Sequence, residues 1–364
     1  MTPQIRWLRA CSWKSTSSIL RLWRAWRAAR PGSTEHSPAI TGSDGSHRQN
    51  RFDGSAGQAY GPRLRRNVMA LRDWFWVILL GSIWGCSFMF NALLIRELGP
   101  LWVATGRVGF AALACWAVFI AMRKPLPRDP KLYALLALLG LVAYSLPFTL
   151  FPISQGALPS GVAAIINALT PLMTVTIGHF WLGGEKADAV RFGGVGIGFL
   201  GVAILSLPAV AGGGTAEIWA IGLCLLATVC YAVGLNFART FRGVDPTTIA
   251  TLALTGSTIG ILPVALAVEG VPVITQGTTW AAWVAIGVVS TGFTFLVMYR
   301  LLPRIGATNF SVTTFIAPLV AISLGVVVLG EEIHPEHLIG MIGIFAGLML
   351  IDGRLVRRLR RARA

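Results

Sequence analysis

The sequence predicts an all-α polytopic membrane protein with ten transmembrane helices in two inverted five-helix repeats. Two observations carry this prediction. Of the 364 residues, 54% are hydrophobic and only 13% are charged, so the chain has too little polar surface for a water-soluble domain. In addition, one set of short motifs occurs twice along the chain, which indicates the duplication of a whole helical bundle.

The repeated motifs lie 147 residues apart. Pro171-Leu172 and a Leu-Gly-Gly-Glu sequence at 182–185 return as Pro318-Leu319 and a Leu-Gly-Glu-Glu sequence at 329–332. Five helices per copy is an odd number, so the second copy must enter the membrane from the opposite side to the first. We therefore expect inverted repeats over residues 74–210 and 216–352, an arrangement that transporters commonly use.

Ten apolar segments follow one another from Trp74 onward, and many of them approach the ~20 residues that a helix needs to cross ~30 Å of hydrocarbon. Helices are expected because the backbone polar groups of such segments find no water in lipid. The last segment is the shortest and has the weakest claim. The segments are 74–94, 101–122, 132–152, 160–182, 192–210, 218–238, 247–268, 279–300, 308–329 and 338–352.

The placement of basic residues predicts the orientation of the chain. The net charge is +16, but arginines and lysines occupy the N-terminal segment, short loops and the tail instead of one face, which argues against a nucleic-acid partner. Every even-numbered connection is basic, whereas the odd-numbered ones carry Arg96 and otherwise acids. Because arginine and lysine concentrate on cytoplasmic loops, we expect both termini in the cytoplasm.

The two ends of the chain differ from the repeats. Residues 1–70 are rich in Arg, Trp, Ser and Gly, and they indicate a disordered basic extension or a start codon placed upstream of a true beginning at Met69. The alternative is a basic helix over the first part of this segment, lying on an anionic membrane surface. Residues 353–364 form a basic cytoplasmic tail.

The repeated motifs, together with Trp84-Gly85 in the first helix and Pro100 seven residues before Arg107 in the second, resemble the EamA family of the drug/metabolite transporter superfamily. The resemblance covers about residues 74–352. It implies ten helices in two inverted repeats in a bacterial inner membrane, and movement of small metabolites or drugs, often outward. Ala253 falls where Arg107 would in the second copy, so any role of this arginine is asymmetric.

Arg107 is the strongest single candidate for a binding residue. A cation inside an apolar span is costly and normally faces a cavity or a partner. It lies about 9 Å below the outer end of its helix, at 1.5 Å per residue. One interpretation is a binding group for a carboxylate or a phosphate. The other is an arginine that extends outward along the helix and pairs with Glu97.

The remaining candidates are polar and aromatic residues within the spans. They would supply hydrogen bonds and apolar contact to a substrate in a central cavity. The alternative for all of them is packing and hydrogen bonding between helices. We select Trp84, Asn91, Tyr144, Asn167, Thr170, Tyr231, Thr291 and Thr314, of which Tyr231 repeats Trp84 and Thr291 repeats Tyr144.

These observations predict a secondary transporter and not an enzyme. Its expected partners are the lipid bilayer and a small metabolite, such as an amino acid, moved outward by alternating access. Export of lipophilic drugs is the second hypothesis, and a lipid-processing enzyme using His334 and His337 the third. We expect no cofactor and no metal site. Glycines four apart, such as Gly194 and Gly198, indicate either internal helix packing or a homodimer surface.

Overall fold

The computed structural model describes residues 70–181, 186–241, 243–305 and 307–352. The predictions for the N-terminal extension and the basic tail fall outside these ranges, as does the Leu-Gly-Gly-Glu motif at 182–185. All regular secondary structure in the described ranges is helical. Seven of the helices are long and apolar enough to cross a membrane, and three shorter apolar helices accompany them.

We number these helices α1 to α10 in chain order. Short helical turns at Leu207–Ala211 and Ala307–Phe310 stand between them. The helices are α1 Leu71–Leu94, α2 Pro100–Ala121, α3 Pro130–Gln155, α4 Ser160–Phe180, α5 Ala189–Leu205, α6 Thr215–Phe241, α7 Pro246–Glu269, α8 Gly277–Val284 continued by Ala285–Phe293 and Thr294–Ile305, α9 Thr313–Leu329 and α10 Pro335–Asp352.

Local sequence explains several helix ends. Proline opens α2, α3, α7 and α10, where its missing N–H costs nothing. Asp129 and Asp245 precede two of these prolines, and their side chains accept hydrogen bonds from the first free backbone N–H groups of α3 and α7. α4 is interrupted between Asn167 and Thr170, next to the proline at 171 that removes a backbone donor.

The packing of the helices follows the repeat. α1 packs on α9 and α2 on α8, and the corresponding helices of the other copy pair in the same way, α6 on α4 and α7 on α3. The other large contacts are α2 with α7 and α5 with α10, each of which joins a helix to its own counterpart, and α6 with α3. The bundle therefore has an internal pseudo-twofold arrangement, and residues from both copies meet along its centre.

Several of the regularly spaced glycines lie at the contact between α5 and α10. A Cβ on Gly201 would lie 2.6 Å from the carbonyl oxygen of Gly340, and one on Gly194 would lie 2.7 Å from that of Gly347. These four glycines therefore let the two backbones touch inside one chain. Of the two interpretations that the sequence left open, internal packing is the one that the structure shows for them.

Contacts between helix ends define two ends of the bundle. At one, which we call the acidic end, Glu269 at the end of α7 contacts the start of α2, and Glu331 after α9 contacts the start of α4. At the other, which we call the basic end, Lys124 after α2 forms an ion pair with Asp245 before α7. Each end thus joins one copy to the other.

The first helices of the two copies run in opposite directions. α1 begins at the basic end, where Asp73 contacts Arg304 at the end of α8. α6 finishes at that end, where Asn236 donates a hydrogen bond of 3.1 Å to the carbonyl of Thr174 in the second half of α4. α1 and α6, which correspond in the two copies, are therefore antiparallel, and the inversion of the whole repeats stays a prediction.

Candidate functional site

Arg107 lies on α2, about 10 Å from the acidic end of that helix at 1.5 Å per residue. Only 7% of the residue is exposed. Its Nε donates a 3.0 Å hydrogen bond to the hydroxyl of Thr291 on α8, and its guanidinium carbon stands 3.8 Å above the ring centre of Phe148 on α3. The side chain is thus held by a hydrogen bond to a neutral hydroxyl on α8 and by a cation–π contact with a ring on α3, so Arg107 joins three helices.

The alternative partner, Glu97, is engaged elsewhere. Its two carboxylate oxygens accept hydrogen bonds from the hydroxyls of Thr275 and Thr279, beside the start of α8. These bonds hold the pKa of the carboxyl below its usual value. Within the described residues no carboxylate forms an ion pair with Arg107, so the interpretation as an arginine paired with Glu97 is wrong for this structure.

Further aromatic rings pack around Phe148, the ring that contacts the guanidinium. Phe148 stacks on Tyr144 with ring centres 6.1 Å apart and contacts Tyr231 on α6 edge-on at 6.2 Å. Tyr231 in turn stacks on Phe151 at 6.1 Å. Four of the residues selected from sequence are therefore brought together: Phe148 contacts Arg107, Tyr144 and Tyr231, and Thr291 joins them through its hydrogen bond with Arg107. We call these five residues the arginine cluster.

Two members of the arginine cluster lie in π-helical segments. Tyr144 belongs to Leu141–Ser145 in α3, and Thr291 belongs to Ala285–Phe293 in α8. The two positions correspond in the repeat, so the local widening of the helix occurs in both copies at the same place. Thr291 donates its own hydroxyl proton to the carbonyl of Ile286, which leaves the oxygen as an acceptor for Arg107. Such segments occur often at functional sites.

Trp84 on α1 reaches the same helix. Its indole Nε1 donates a 3.1 Å hydrogen bond to Thr294, one turn beyond Thr291 on α8, and its ring meets Phe310 edge-on at 5.8 Å. Trp84 therefore lies beside the arginine cluster, joined to it through α8.

Asn91 stands nearer the acidic end and is 1% exposed. Its Nδ2 donates to Oε1 of Gln155 at 3.1 Å, and Gln155 donates to the carbonyl of Phe88 at 2.8 Å. The Oδ1 atom of Asn91 is buried and has no donor. The rings of Phe88 and Phe151, 5.5 Å apart, connect this amide pair to Tyr231.

The other three selected residues make local bonds. Thr170 donates to the carbonyl of Asn167 at 2.8 Å, and Thr314 donates to the carbonyl of Ser311 at 2.6 Å. In the described part of the chain no hydrogen bond or ring contact joins Asn167, Thr170 or Thr314 to the arginine cluster. The sequence did not reveal that the hydroxyls of Thr170 and Thr314 are bonded to nearby backbone carbonyls.

Phe148, Phe151 and Gln155 were not selected from the sequence. A signal was present, since Phe148 follows Tyr144 by four residues and Phe151 and Gln155 continue the same helix face. Phenylalanine in an apolar span carries no mark of function by itself. Only its position under a buried cation identifies it.

The histidines near the acidic end contact each other. His334 and His337 have ring centres 5.4 Å apart, and Nδ1 of His337 accepts a hydrogen bond from the backbone N–H of His334. No group of three metal-ligating side chains occurs within the described ranges. The neighbouring carboxylate of Glu331 is bound to the start of α4.

Comparison with protein families identifies the family to which this chain belongs. The model of the EamA-like transporter family matches residues 73–207 and again residues 218–352. The chain belongs to this family, as the resemblance of its motifs predicted. Two matches in one chain confirm that it contains two copies of the same unit, and the family is one of transporters and not of enzymes.

The similarity to three curated relatives extends over nearly the whole length of each relative. An uncharacterized transporter of Archaeoglobus fulgidus is 26% identical over 80% of this chain and 100% of its own. A probable terminal-alkyne amino-acid exporter of Streptantibioticus cattleyicolor and a probable amino-acid metabolite efflux pump of Salmonella typhimurium are each 26% identical, over 81% and 80% of this chain and 98% of theirs. A crystal structure with 20% identity and a TM-score of 0.57 covers 79% of this chain and 97% of its own, which shows the fold.

Proposed function

We propose that this chain is a secondary transporter that carries a small carboxylate-bearing metabolite by alternating access, with Arg107 as the anion-binding group. The observation that carries the proposal is the uncompensated charge. A buried cation is retained at high cost unless it has a partner, and within the described residues Arg107 has only a neutral hydroxyl and a ring. The carboxylate of the cargo would supply the missing charge.

The geometry of the guanidinium suits this role. Arginine has five N–H donors, and in the described part of the chain only Nε has a hydrogen-bond acceptor. The two terminal NH₂ groups remain for a carboxylate, which accepts two parallel bonds from such a fork. Phe148 beneath the plane and Thr291 at Nε hold the fork in place, so little side-chain entropy is lost on binding.

The rings around the guanidinium favour amino acids or related metabolites as cargo. Tyr144, Tyr231 and Phe151 offer apolar area beside the anion site. Two relatives are named as an amino-acid exporter and an amino-acid metabolite efflux pump, which supports outward movement of this class of compound. A lipophilic cation would meet the charge of Arg107 and is disfavoured, so neutral lipophilic compounds are what remains of the drug-export hypothesis.

We propose the following placement in the membrane. All ten helices cross the bilayer of the bacterial inner membrane, and the two five-helix repeats lie in it with opposite orientation. The basic end faces the cytoplasm together with both termini, in keeping with the preference of arginine and lysine for that side. The arginine cluster is then inside the membrane, between α2, α3, α6 and α8, and draws residues from both repeats.

Transport by purified protein in liposomes tests the proposal. We expect Arg107→Gln to lose uptake of amino acids and other carboxylates, with the protein correctly inserted. Arg96→Gln is the matched control, because it removes the same charge from an exposed position one helix connection away. We expect Arg96→Gln to transport like the parent. Equal transport by Arg107→Gln and the parent would refute the assignment of the anion site.

A further inference from the structure

Three carboxylates at the acidic end each bridge the two repeats. The first is Glu269, at the end of α7. Its Oε1 accepts a 2.9 Å hydrogen bond from the backbone N–H of Leu101, and its Oε2 accepts a 3.0 Å bond from that of Trp102. A carboxylate from the second repeat therefore caps the first turn of α2, a helix of the first repeat, where the helix dipole also favours negative charge.

The second is Glu331, in the connection between α9 and α10. It accepts hydrogen bonds from the backbone N–H of Ser160 at 2.7 Å, from the Ser160 hydroxyl at 2.8 Å and from the backbone N–H of Gly161 at 3.4 Å. This carboxylate of the second repeat caps α4, again in the first repeat. The third, Glu97, belongs to the first repeat and binds Thr275 and Thr279 of the second.

The backbone leaves room for two of these contacts. A Cβ added to Gly99 would lie 2.2 Å from the carboxylate of Glu269, and a Cβ added to Gly325 would lie 2.3 Å from that of Glu331. Each glycine thus stands where a side chain would displace the glutamate from its helix end. The backbone is therefore shaped to accommodate these two carboxylates. Acidic loop residues that only face solvent would not require glycine at these positions.

The basic end is joined differently. Lys124 and Asp245 form an ion pair of 2.8 Å with side chains 28% and 36% exposed, and Asp73, with a side chain 13% exposed, pairs with Arg304, whose side chain is 44% exposed. Exposed ion pairs contribute little to binding two surfaces together. Carboxylates that accept two or three hydrogen bonds at a helix start make stronger, charge-assisted contacts. The acidic end is therefore the more firmly closed of the two.

We infer that Glu97, Glu269 and Glu331 form the outer gate of the transport cycle, a set of carboxylate contacts that must break each time the site opens at the acidic end. The inference rests on the proposed alternating access, because only a carrier needs to separate the two repeats at that end. It assigns a function to three acids that are otherwise only helix anchors. Glu269 and Glu331 hold α2 and α4 of one repeat against α7 and α9 of the other.

Labelling of a single cysteine from outside tests the gate without any substrate. The reporter is Phe151→Cys, below the acidic end, in full-length protein whose five native cysteines are replaced by serine. An impermeant maleimide is added to intact cells. We expect Glu269→Gln and Glu331→Gln each to raise the labelling rate about tenfold, because a neutral amide makes weaker bonds to the helix N–H groups. Glu332→Gln, at the exposed neighbouring position, is the matched control and should leave the rate unchanged.

The outcomes separate the gate from the proposed function. Faster labelling in the Glu269→Gln/Glu331→Gln double variant supports the gate even where no carboxylate substrate is transported. An unchanged rate in a folded double variant overturns it even where transport is intact. Should that variant fail to fold, Thr275→Val/Thr279→Val releases Glu97 from the other side of the same contact and decides the matter by the same readout.

Discussion

Replacing Arg107 by methionine distinguishes a binding arginine from a structural one. Methionine fills a similar apolar volume and carries no charge. If Arg107 were present to hold α2, α3 and α8 together, its loss would destabilise the bundle. If it is present to bind an anion, the ligand-free protein should tolerate its loss, because burying an uncompensated charge already costs free energy.

The contacts of Arg107 set the expected size of the change in the free energy of unfolding. The charged hydrogen bond from Arg107 to Thr291 contributes roughly 1.5–3 kcal/mol, and a desolvated cation–π contact at 3.8 Å contributes about 2 kcal/mol. Their sum, roughly 3.5–5 kcal/mol, stands against a desolvation penalty of several kcal/mol for one buried ion. We therefore expect Arg107→Met to change the free energy of unfolding by no more than about 1 kcal/mol in either direction.

The assay is thermal unfolding in detergent, with and without carboxylate substrate. A ligand that binds only the native state raises the melting temperature, so the substrate should stabilise the parent and leave Arg107→Met unchanged. Arg96→Met serves as the control for loss of charge alone. A loss of stability above roughly 3 kcal/mol in ligand-free Arg107→Met would refute the reasoning, since it is the size expected on breaking a structural ion contact.

Three further predictions concern the scaffold. Gly201→Ala should destabilise the protein by roughly 1–3 kcal/mol because its methyl group would lie 2.6 Å from a carbonyl oxygen of α10, whereas Gly196→Ala, with no atom within 4 Å, should be neutral in the same melting assay. Asp245→Ala should cost about 1–2 kcal/mol by removing both a helix cap and an ion pair, and Asp245→Asn less, since asparagine caps equally well. Burial alone would raise the pKa of Asp245, but its lysine partner and the helix N–H groups lower it below its usual value. The stabilisation by the Asp245 carboxylate is therefore present above about pH 4 and is lost as pH falls further. If the melting temperature of Asp245→Asn dropped as steeply as that of the parent below pH 4, this prediction would be contradicted. Trp84→Phe should lower stability by about 1 kcal/mol through loss of the bond to Thr294, and an unchanged melting temperature would show that this bond is not formed.

The architecture was predictable because it depends on features that the sequence displays directly. Length, hydropathy and the motif spacing of 147 residues predict apolar helices in two related units, and the helices observed correspond to the segments expected. The same spacing pairs Tyr144 with Thr291, and both residues lie in π-helical segments. Arg107 was selected because charge in an apolar span is rare.

Which residues touch across the bundle was harder to predict. Contacts between side chains depend on how far each helix is rotated about its axis and on which helices are neighbours. Neither can be predicted from helices that are apolar on all sides, because no face is marked as the one that packs. For this reason Phe148 was missed, and Asn167 was selected although no hydrogen bond or ring contact within the described residues joins it to the arginine cluster. The pairing of Glu269 with the start of α2 also requires knowing that α7 and α2 are adjacent.

The most direct test of the account is a binding cycle with two ligands and two proteins. The ligands are an amino acid that the parent transports and its carboxamide, and the proteins are the parent and Arg107→Gln. If Arg107 binds the carboxylate, the two changes should not be additive, with a coupling free energy of at least about 2 kcal/mol, or roughly thirtyfold in affinity. A coupling free energy of zero, with both proteins preferring the carboxylate equally, would contradict the account.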